Sequence, residues 1–169
     1  YKNSSLKFFF KEDYIYEKTN SGFIYKDKKG KIKLPSPNLL GDFQISNIST
    51  AINTARILDQ FKIKENHIRD SITKIKSEGR LQFIKKGKLR KYVSDSNEIL
   101  IDGAHNPLAA LEVEKYLGTL NSERKIIMLL GMMANKEHKE FIKVFKNKVD
   151  FIVTLDIPNQ ANFIDKEKL

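Results

Sequence analysis

Residues 99–107, Ile-Leu-Ile-Asp-Gly-Ala-His-Asn-Pro, constrain the fold more than any other part of the sequence. The first three are isoleucine or leucine, which predicts a short buried strand, and Gly103 allows a sharp turn after it. Asn106 followed by Pro107 is typical of a helix N-cap and the first helical position. In an open parallel sheet, this order places Asp102 at the carboxyl end of a strand, where the following helix N-terminus points into the crevice that binds ligands.

The rest of the sequence divides into a β-rich part and a part in which strands and helices alternate. Aromatic and β-branched runs separated by turn residues predict an antiparallel meander, and apolar residues spaced three and four apart predict two helices after it. Beyond residue 80, alternating strands and helices predict a parallel sheet with right-handed crossovers. The predicted strands are 6–10, 14–16, 23–25, 32–34, 81–84, 92–93, 99–101, 126–130 and 151–155, and the predicted helices are 44–60, 65–76, 107–120 and 136–146.

A glycine marks the predicted boundary between these two parts. Gly79 follows the second predicted helix, at a position where a C-terminal cap glycine is common. We therefore expect two domains, at residues 1–79 and 80–169. Because the sequence begins with tyrosine rather than methionine, we also expect it to be a fragment of a longer protein.

The charge of the sequence raises the question of nucleic-acid binding. There are 31 Lys and Arg residues against 21 Asp and Glu residues, a formal net charge of +10. A non-catalytic basic α/β module that binds nucleic acid therefore stays an alternative. The lysines, however, fall at predicted turns and on polar helix faces with acids interleaved, which is typical of solvated surfaces. We expect anionic small molecules rather than nucleic acid as partners.

Two absences narrow the class of protein. The sequence has no cysteine, which excludes disulfides and thiolate chemistry within these residues. It also has no apolar run of the about 18 residues that a membrane span needs, so no membrane partner is expected. We expect a cytoplasmic protein.

Three motifs follow one another at residues 40–47, 79–82 and 102–107: Leu-Gly-Asp-Phe-Gln-Ile-Ser-Asn, Gly-Arg-Leu-Gln and Asp-Gly-Ala-His-Asn-Pro. They are similar to the Gly-x-x-Gln-x-x-Asn segment, the Gly-Arg-Leu-Glu segment and the opening of the C-terminal domain in the folylpolyglutamate synthase and dihydrofolate synthase family, within the Mur ligase superfamily. Their order and spacing also fit. The sequence departs from that family at Phe43, where histidine is common, and at Ile48, where a small residue is usual.

The resemblance implies an α/β fold. Residues 80–169 are expected to form a Mur-ligase-type C-terminal domain, Rossmann-like with a mainly parallel sheet and truncated at its end. Residues 1–79 are expected to contribute the β-meander and helices that end the central ATP-binding domain.

Two of the candidate site residues lie in the second half of the sequence. An acid that ends a buried strand can accept hydrogen bonds from ribose hydroxyls, and the resemblance assigns Asp102 to the ribose of ATP. The alternative is that Asp102 accepts backbone N–H groups of the next loop. Arg80 carries a planar, permanently charged group that suits a phosphate, and the resemblance implies a contact with ATP. The alternative for Arg80 is an interdomain ion pair.

The remaining candidates are an asparagine and a histidine. The amide of Asn47 can pair with N6 and N7 of adenine, and the resemblance implies that contact. Gln44 is expected to order the helix start. His105 is the candidate catalytic residue, because it lies beside a helix N-terminus that favours phosphate and can donate to a phosphate oxygen. Its alternative is a purely structural role, and Asn106 is expected to be a helix cap.

The resemblance further implies a ligase that transfers phosphate from ATP to a carboxylate, with Mg²⁺ neutralising the phosphates, and joins the resulting acyl phosphate to an amino acid. The substrates would be ATP, L-glutamate and a folate or dihydropteroate, and the full-length enzyme a monomer. No Gly-x-x-x-x-Gly-Lys-Ser/Thr loop occurs in the sequence. We therefore expect the metal ligands to lie outside this chain, with none inside it, and the chain alone to be inactive.

A cell-wall Mur ligase that extends UDP-MurNAc is the alternative within the superfamily, although Gly103 favours the folate branch.

Overall fold

The computed structural model describes residues 6–121 and 123–169, and the chain divides into two compact units. The N-terminal unit is Tyr1–Glu78 and the C-terminal unit is Gly79–Leu169. None of the helices in the described part of the chain has the length and apolarity that a bilayer crossing requires.

Within residues 6–78, the N-terminal unit has a sheet of three strands: β1 (Tyr14–Thr19), β2 (Gly22–Asp27) and β3 (Gly30–Pro35). They pair antiparallel in the order β1-β2-β3, which confirms the predicted meander. The predicted strand at residues 6–10 is wrong, because only Phe10 makes an isolated bridge, to Tyr14. The physical reason is that the chain turns at Lys11, which has a φ of 76°. The backbone of residues 6–10 therefore does not extend the ladder of the sheet, and the Phe10 ring stacks on Tyr16.

Two helices pack against this sheet: α1 (Phe43–Ile57) and α2 (Glu65–Ile72). Both were predicted, and both end earlier than predicted. Because α2 ends at Ile72, the expectation that Gly79 caps it is wrong; Gly79 lies seven residues further on, with a φ of 64°. The buried core between sheet and helices consists of Tyr14, Phe23, Tyr25, Ile32, Leu34, Ile48, Ile52, Ile68 and Ile72.

The described residues of the C-terminal unit form four strands and two α-helices. The strands are β4 (Gln82–Phe83), β5 (Leu100–Ile101), β6 (Ile127–Leu130) and β7 (Phe151–Thr154). The helices are α3 (Pro107–Leu117) and α4 (His138–Phe145), which pack against each other. The strands β6 and β7 pair in parallel with α4 between them in sequence, which confirms the predicted α/β fold with parallel pairing.

Two details of this unit differ from the sequence-based prediction. Residues 92–93 do not form a strand, because the segment Lys88–Tyr92 closes into a 3₁₀ helix after Gly87, whose φ is 107°. The strand β5 pairs antiparallel with β4, so the strand that precedes Asp102 lies in a two-stranded antiparallel pair rather than in the parallel sheet.

A buried ion pair ties α1 to β2. Arg56 Nε lies 2.7 Å from Asp27 Oδ2, Arg56 Nη2 lies 3.1 Å from Asp27 Oδ1, and the two side chains are only 10% and 7% exposed. The Tyr25 hydroxyl lies 3.2 Å from both Asp27 Oδ2 and Asn53 Oδ1. Burial, together with the neighbouring Asp27 carboxylate, raises the pKa of Tyr25 above its ordinary value. The Arg56–Asp27 ion pair is therefore largely shielded from solvent, and removal of either partner would leave the other without its buried countercharge.

Replacing Arg56 by methionine should destabilise the chain by about 3–5 kcal/mol, because a buried Asp27 carboxylate would lose its countercharge. Urea unfolding followed by circular dichroism measures the change. Arg69→Met, at an exposed helix position, is the matched control and should change stability by no more than about 0.5 kcal/mol. Equal, small changes in both variants would show that the ion pair adds nothing to stability.

Candidate functional site

The turn from β5 to α3 has the predicted order of strand, turn and capped helix. The strand β5 ends at Ile101, Asp102 follows it, and α3 begins at Pro107. Asn106 is the N-cap, since its Oδ1 accepts the Ala109 backbone N–H at 2.9 Å. These local features were all predictable because each depends on a few adjacent residues.

Gly103 lies in this turn as expected, but the turn does not require a glycine there. Gly103 does not adopt a left-handed backbone conformation. A Cβ atom added there would lie 3.5 Å from the Gly79 carbonyl oxygen and 3.8 Å from Arg80 Nη1, both ordinary contacts. Neither backbone conformation nor space therefore demands glycine at this position. The same distances show that the Arg80 guanidinium lies against the turn.

Both carboxylate oxygens of Asp102 accept backbone hydrogen bonds. Oδ2 accepts from Leu81 N at 2.8 Å, and Oδ1 accepts from Ala104 N at 2.7 Å. The alternative role of Asp102, accepting backbone N–H groups, is thus present in the structure. Each carboxylate oxygen has a second lone pair, so Asp102 can still accept hydrogen bonds from a ligand.

The segment Gly79-Arg80-Leu81 is held on both sides of the arginine. Gly79 O accepts from Gly103 N at 2.7 Å, and Gly79 N donates to Gln82 Oε1 at 2.9 Å. Leu81, whose side chain is 1% exposed, has a φ of 44°, which is unusual for a residue other than glycine. Arg80 itself is exposed, and no carboxylate among the described residues of the C-terminal unit pairs with it. Its guanidinium is available to an anionic ligand.

His105 has a defined tautomer. Its Nδ1 lies 2.9 Å from the Gly103 carbonyl oxygen, which can only accept, so Nδ1 carries the hydrogen. In the neutral ring Nε2 then has a lone pair instead of a hydrogen. His105 can donate from Nε2 to a phosphate oxygen only as the positively charged imidazolium.

The fourth predicted residue, Asn47, lies on α1 of the N-terminal unit. Its side chain is exposed, and its Nδ2 donates to Gln44 Oε1 at 3.3 Å. Gln44 is only 4% exposed. The bond orients the Asn47 amide and leaves its Oδ1 and one N–H for other partners. The structure thus brings Arg80, Asp102 and His105 together around Gly103, whereas Asn47 belongs to the other unit.

Sequence reasoning missed two glutamines in this arrangement. It did not single out Gln82, and it gave Gln44 no contact with Asn47. The available signal for both was a spacing of three residues, from Gly79 to Gln82 and from Gln44 to Asn47, which allows a side-chain amide to reach a neighbouring polar group.

Comparison with known proteins shows the family to which this chain belongs. Residues 79–169, more than half of the chain, match the family described as Mur ligase, glutamate ligase domain. The chain belongs to the Mur ligase family, and its curated relatives place it with the folylpolyglutamate and dihydrofolate synthases, as its motifs predicted.

The relatives are considerably longer than this chain. It is 32% identical to the dihydrofolate synthase/folylpolyglutamate synthase of Buchnera aphidicola subsp. Acyrthosiphon pisum over 105 residues, which are 62% of this chain and 23% of that protein. It is 30% identical to the folylpolyglutamate synthase of Lacticaseibacillus casei over 119 residues, 69% of this chain and 26% of that protein. The chain therefore spans about a quarter of the length of these relatives.

Among solved structures, Escherichia coli FolC in complex with DHPP and ADP is similar with a TM-score of 0.75 at 24% identity. The match covers 94% of this chain and 35% of that one, and it confirms the predicted fold class.

Replacing Asp102 by asparagine should lower the free energy of unfolding by about 1–3 kcal/mol, because the new amide would turn a donor toward one of two backbone N–H groups. Urea unfolding of the chain measures it. Asp95→Asn is the control, since the Asp95 side chain is fully exposed and meets Arg90 only at 3.6 Å. If both variants unfold at the same urea concentration as the original chain, the two Asp102 hydrogen bonds do not support the turn.

Proposed function

We propose that this chain is the C-terminal part of an ATP-dependent ligase that adds L-glutamate to the carboxylate of a folate or dihydropteroate. Residues 1–79 would end the central ATP-binding domain, and residues 80–169 would form most of the C-terminal domain. Two observations support that division: the compact units separate after Glu78, and the match to the glutamate ligase domain begins at residue 79. The names of the relatives support the choice of substrates.

The observation that carries the proposal is the convergence of complementary groups around Gly103. Arg80 supplies a fork of N–H donors for phosphate oxygens. The Asp102 carboxylate, already fixed by two backbone N–H groups, accepts hydrogen bonds from ribose hydroxyls with its remaining lone pairs. His105, as the imidazolium, donates from Nε2 to a phosphate oxygen, close to the start of α3, where the helix dipole favours an anion.

Adenine recognition would come from Asn47. Because Gln44 already accepts one N–H of its amide, Asn47 Oδ1 is free to accept from adenine N6 and its second N–H to donate to N7. Gln44 would thereby determine which way the amide faces.

The reaction proceeds in two displacements. The substrate carboxylate attacks the γ-phosphorus of ATP, so an acyl phosphate forms and ADP leaves. The amine of glutamate then attacks the acyl carbon, the C–N bond forms, the C–O bond to phosphate breaks, and inorganic phosphate and the amine proton depart. The residues around Gly103 hold and orient the nucleotide during the first displacement.

Magnesium would neutralise phosphate charge in this chemistry. We assign it to ligands outside this chain, because the described residues bring no group of three or more His, Cys, Asp or Glu side chains together. We also place the phosphate loop outside this chain, since no Gly-x-x-x-x-Gly-Lys-Ser/Thr sequence occurs in it. The chain alone would therefore lack turnover.

We propose further that the full-length enzyme works as a monomer in the cytoplasm on small molecules rather than on nucleic acid. The distribution of charge supports the preference for small molecules over nucleic acid, because several lysines of the structure form ion pairs with acids beside them. Such pairs are Lys18–Asp42, Lys115–Glu112, Lys143–Glu140 and Lys148–Glu114.

Ligation of glutamate tests the proposal directly. Purified full-length protein, incubated with ATP, Mg²⁺ and L-glutamate, should convert dihydropteroate or folate to the glutamylated product and release phosphate in equal amount. The chain of residues 1–169 should give none. Product formation by the full-length protein with a UDP-linked cell-wall precursor instead of the folates would contradict the substrate assignment, and turnover by the chain alone would contradict its incompleteness.

A further inference from the structure

The side chain of Gln82 has no place in the chemistry proposed above, yet its Oε1 is bonded to the backbone next to Arg80. We propose that Gln82 is a positioning residue: by accepting the Gly79 N–H, it fixes the backbone that presents the Arg80 guanidinium to the phosphates of ATP. This inference rests on the proposed function of Arg80 and adds a residue to it.

The bonds around Arg80 leave its backbone little freedom. The residue before it, Gly79, is bound at both its N–H, by Gln82, and its carbonyl, by Gly103. The residue after it, Leu81, is bound at its N–H by Asp102. Fixing both neighbours fixes the direction of the Arg80 Cα–Cβ bond.

The conformation of this segment needs such support. Gly79 and Leu81 have φ angles of 64° and 44°, and a left-handed backbone is unfavourable for leucine. Unfavourable backbone angles persist only where surrounding contacts impose them, and they are frequent at functional sites. Here the contacts are the burial of Leu81 and the bonds from Gln82, Gly103 and Asp102.

Because Arg80 is exposed, the hydrogen bonds that hold its backbone affect the affinity for ATP. Arg80 has no carboxylate partner among the described residues of its own unit, so its orientation depends on its backbone. Losing the Gln82 bond would leave the Gly79 N–H unpaired and allow the segment other conformations. A mobile guanidinium must be ordered when ATP binds, which weakens the affinity.

The test is a double-mutant cycle in the full-length enzyme, with the dissociation constant for ATP measured by calorimetry. Gln82→Met removes the acceptor at similar side-chain length, and Gln82→Glu restores an acceptor at the same position. Gln160→Met, at an exposed site of the same unit, is the matched control. Arg80→Ala and the Arg80→Ala/Gln82→Met double variant complete the cycle, and thermal unfolding is recorded for all five.

We expect Gln82→Met to weaken ATP binding by about three- to tenfold, Gln82→Glu, which keeps the acceptor, to weaken it less than Gln82→Met, and Gln160→Met to leave it unchanged. In the Arg80→Ala background, Gln82→Met should have no further effect, because no guanidinium remains to be positioned. A merely structural role of Gln82 would instead lower the unfolding temperature alike in both backgrounds and leave ATP affinity unchanged.

The outcomes separate this inference from the proposed function. If Arg80→Ala weakens ATP binding and Gln82→Met does not, or if the Gln82→Met effect persists in the Arg80→Ala background, the positioning role is wrong and the proposed function stands. If Arg80→Ala leaves ATP affinity unchanged, the assignment of Arg80 to the nucleotide is wrong, and the role of Gln82 is overturned with it.

Discussion

The Asp102 carboxylate is the group on which the arrangement of this site depends. Its two oxygens accept N–H groups from two separate segments of the chain, from Leu81 at 2.8 Å and from the neighbouring turn residue Ala104 at 2.7 Å. One bond shapes the turn into α3, and the other holds the segment that carries Arg80. Charge-assisted hydrogen bonds of this kind are stronger than neutral ones, so a single acid can support both segments. Under the proposed function, the same two bonds would orient the carboxylate toward the ribose of ATP.

The sequence predicted those parts of the fold whose causes are local. Turn residues separate the strands of the meander, and Asn106-Pro107 marks a helix start, because each preference acts within a few residues. The sequence failed where the backbone angles of a single residue or a tertiary contact decide. Residues 6–10 have the composition of a strand, but the chain turns at Lys11, and Gly79 resembles a helix cap but lies in a segment bound to Gly103 and Gln82.

The candidate site shows the same division. Arg80, Asp102 and His105 could be selected from residue type, position and resemblance, and the structure places all three around Gly103. Their orientation could not be predicted, because it depends on which backbone groups fold against them. Three hydrogen bonds set these orientations: Leu81 N–H to Asp102, His105 Nδ1 to the Gly103 carbonyl, and Gly79 N–H to Gln82. Each depends on tertiary or turn geometry, which composition does not encode.

A titration of the ¹⁵N-labelled chain with ATP, followed by NMR, tests most directly whether these residues form a nucleotide site. With few contacts to offset the entropy of association, we predict weak binding, in about the millimolar range. The largest changes in amide chemical shift should fall at residues 79–81 and 102–106. Changes concentrated instead at the lysine-rich turn of residues 26–31, or no change at residues 79–81 and 102–106 with ATP in large excess, would contradict the account.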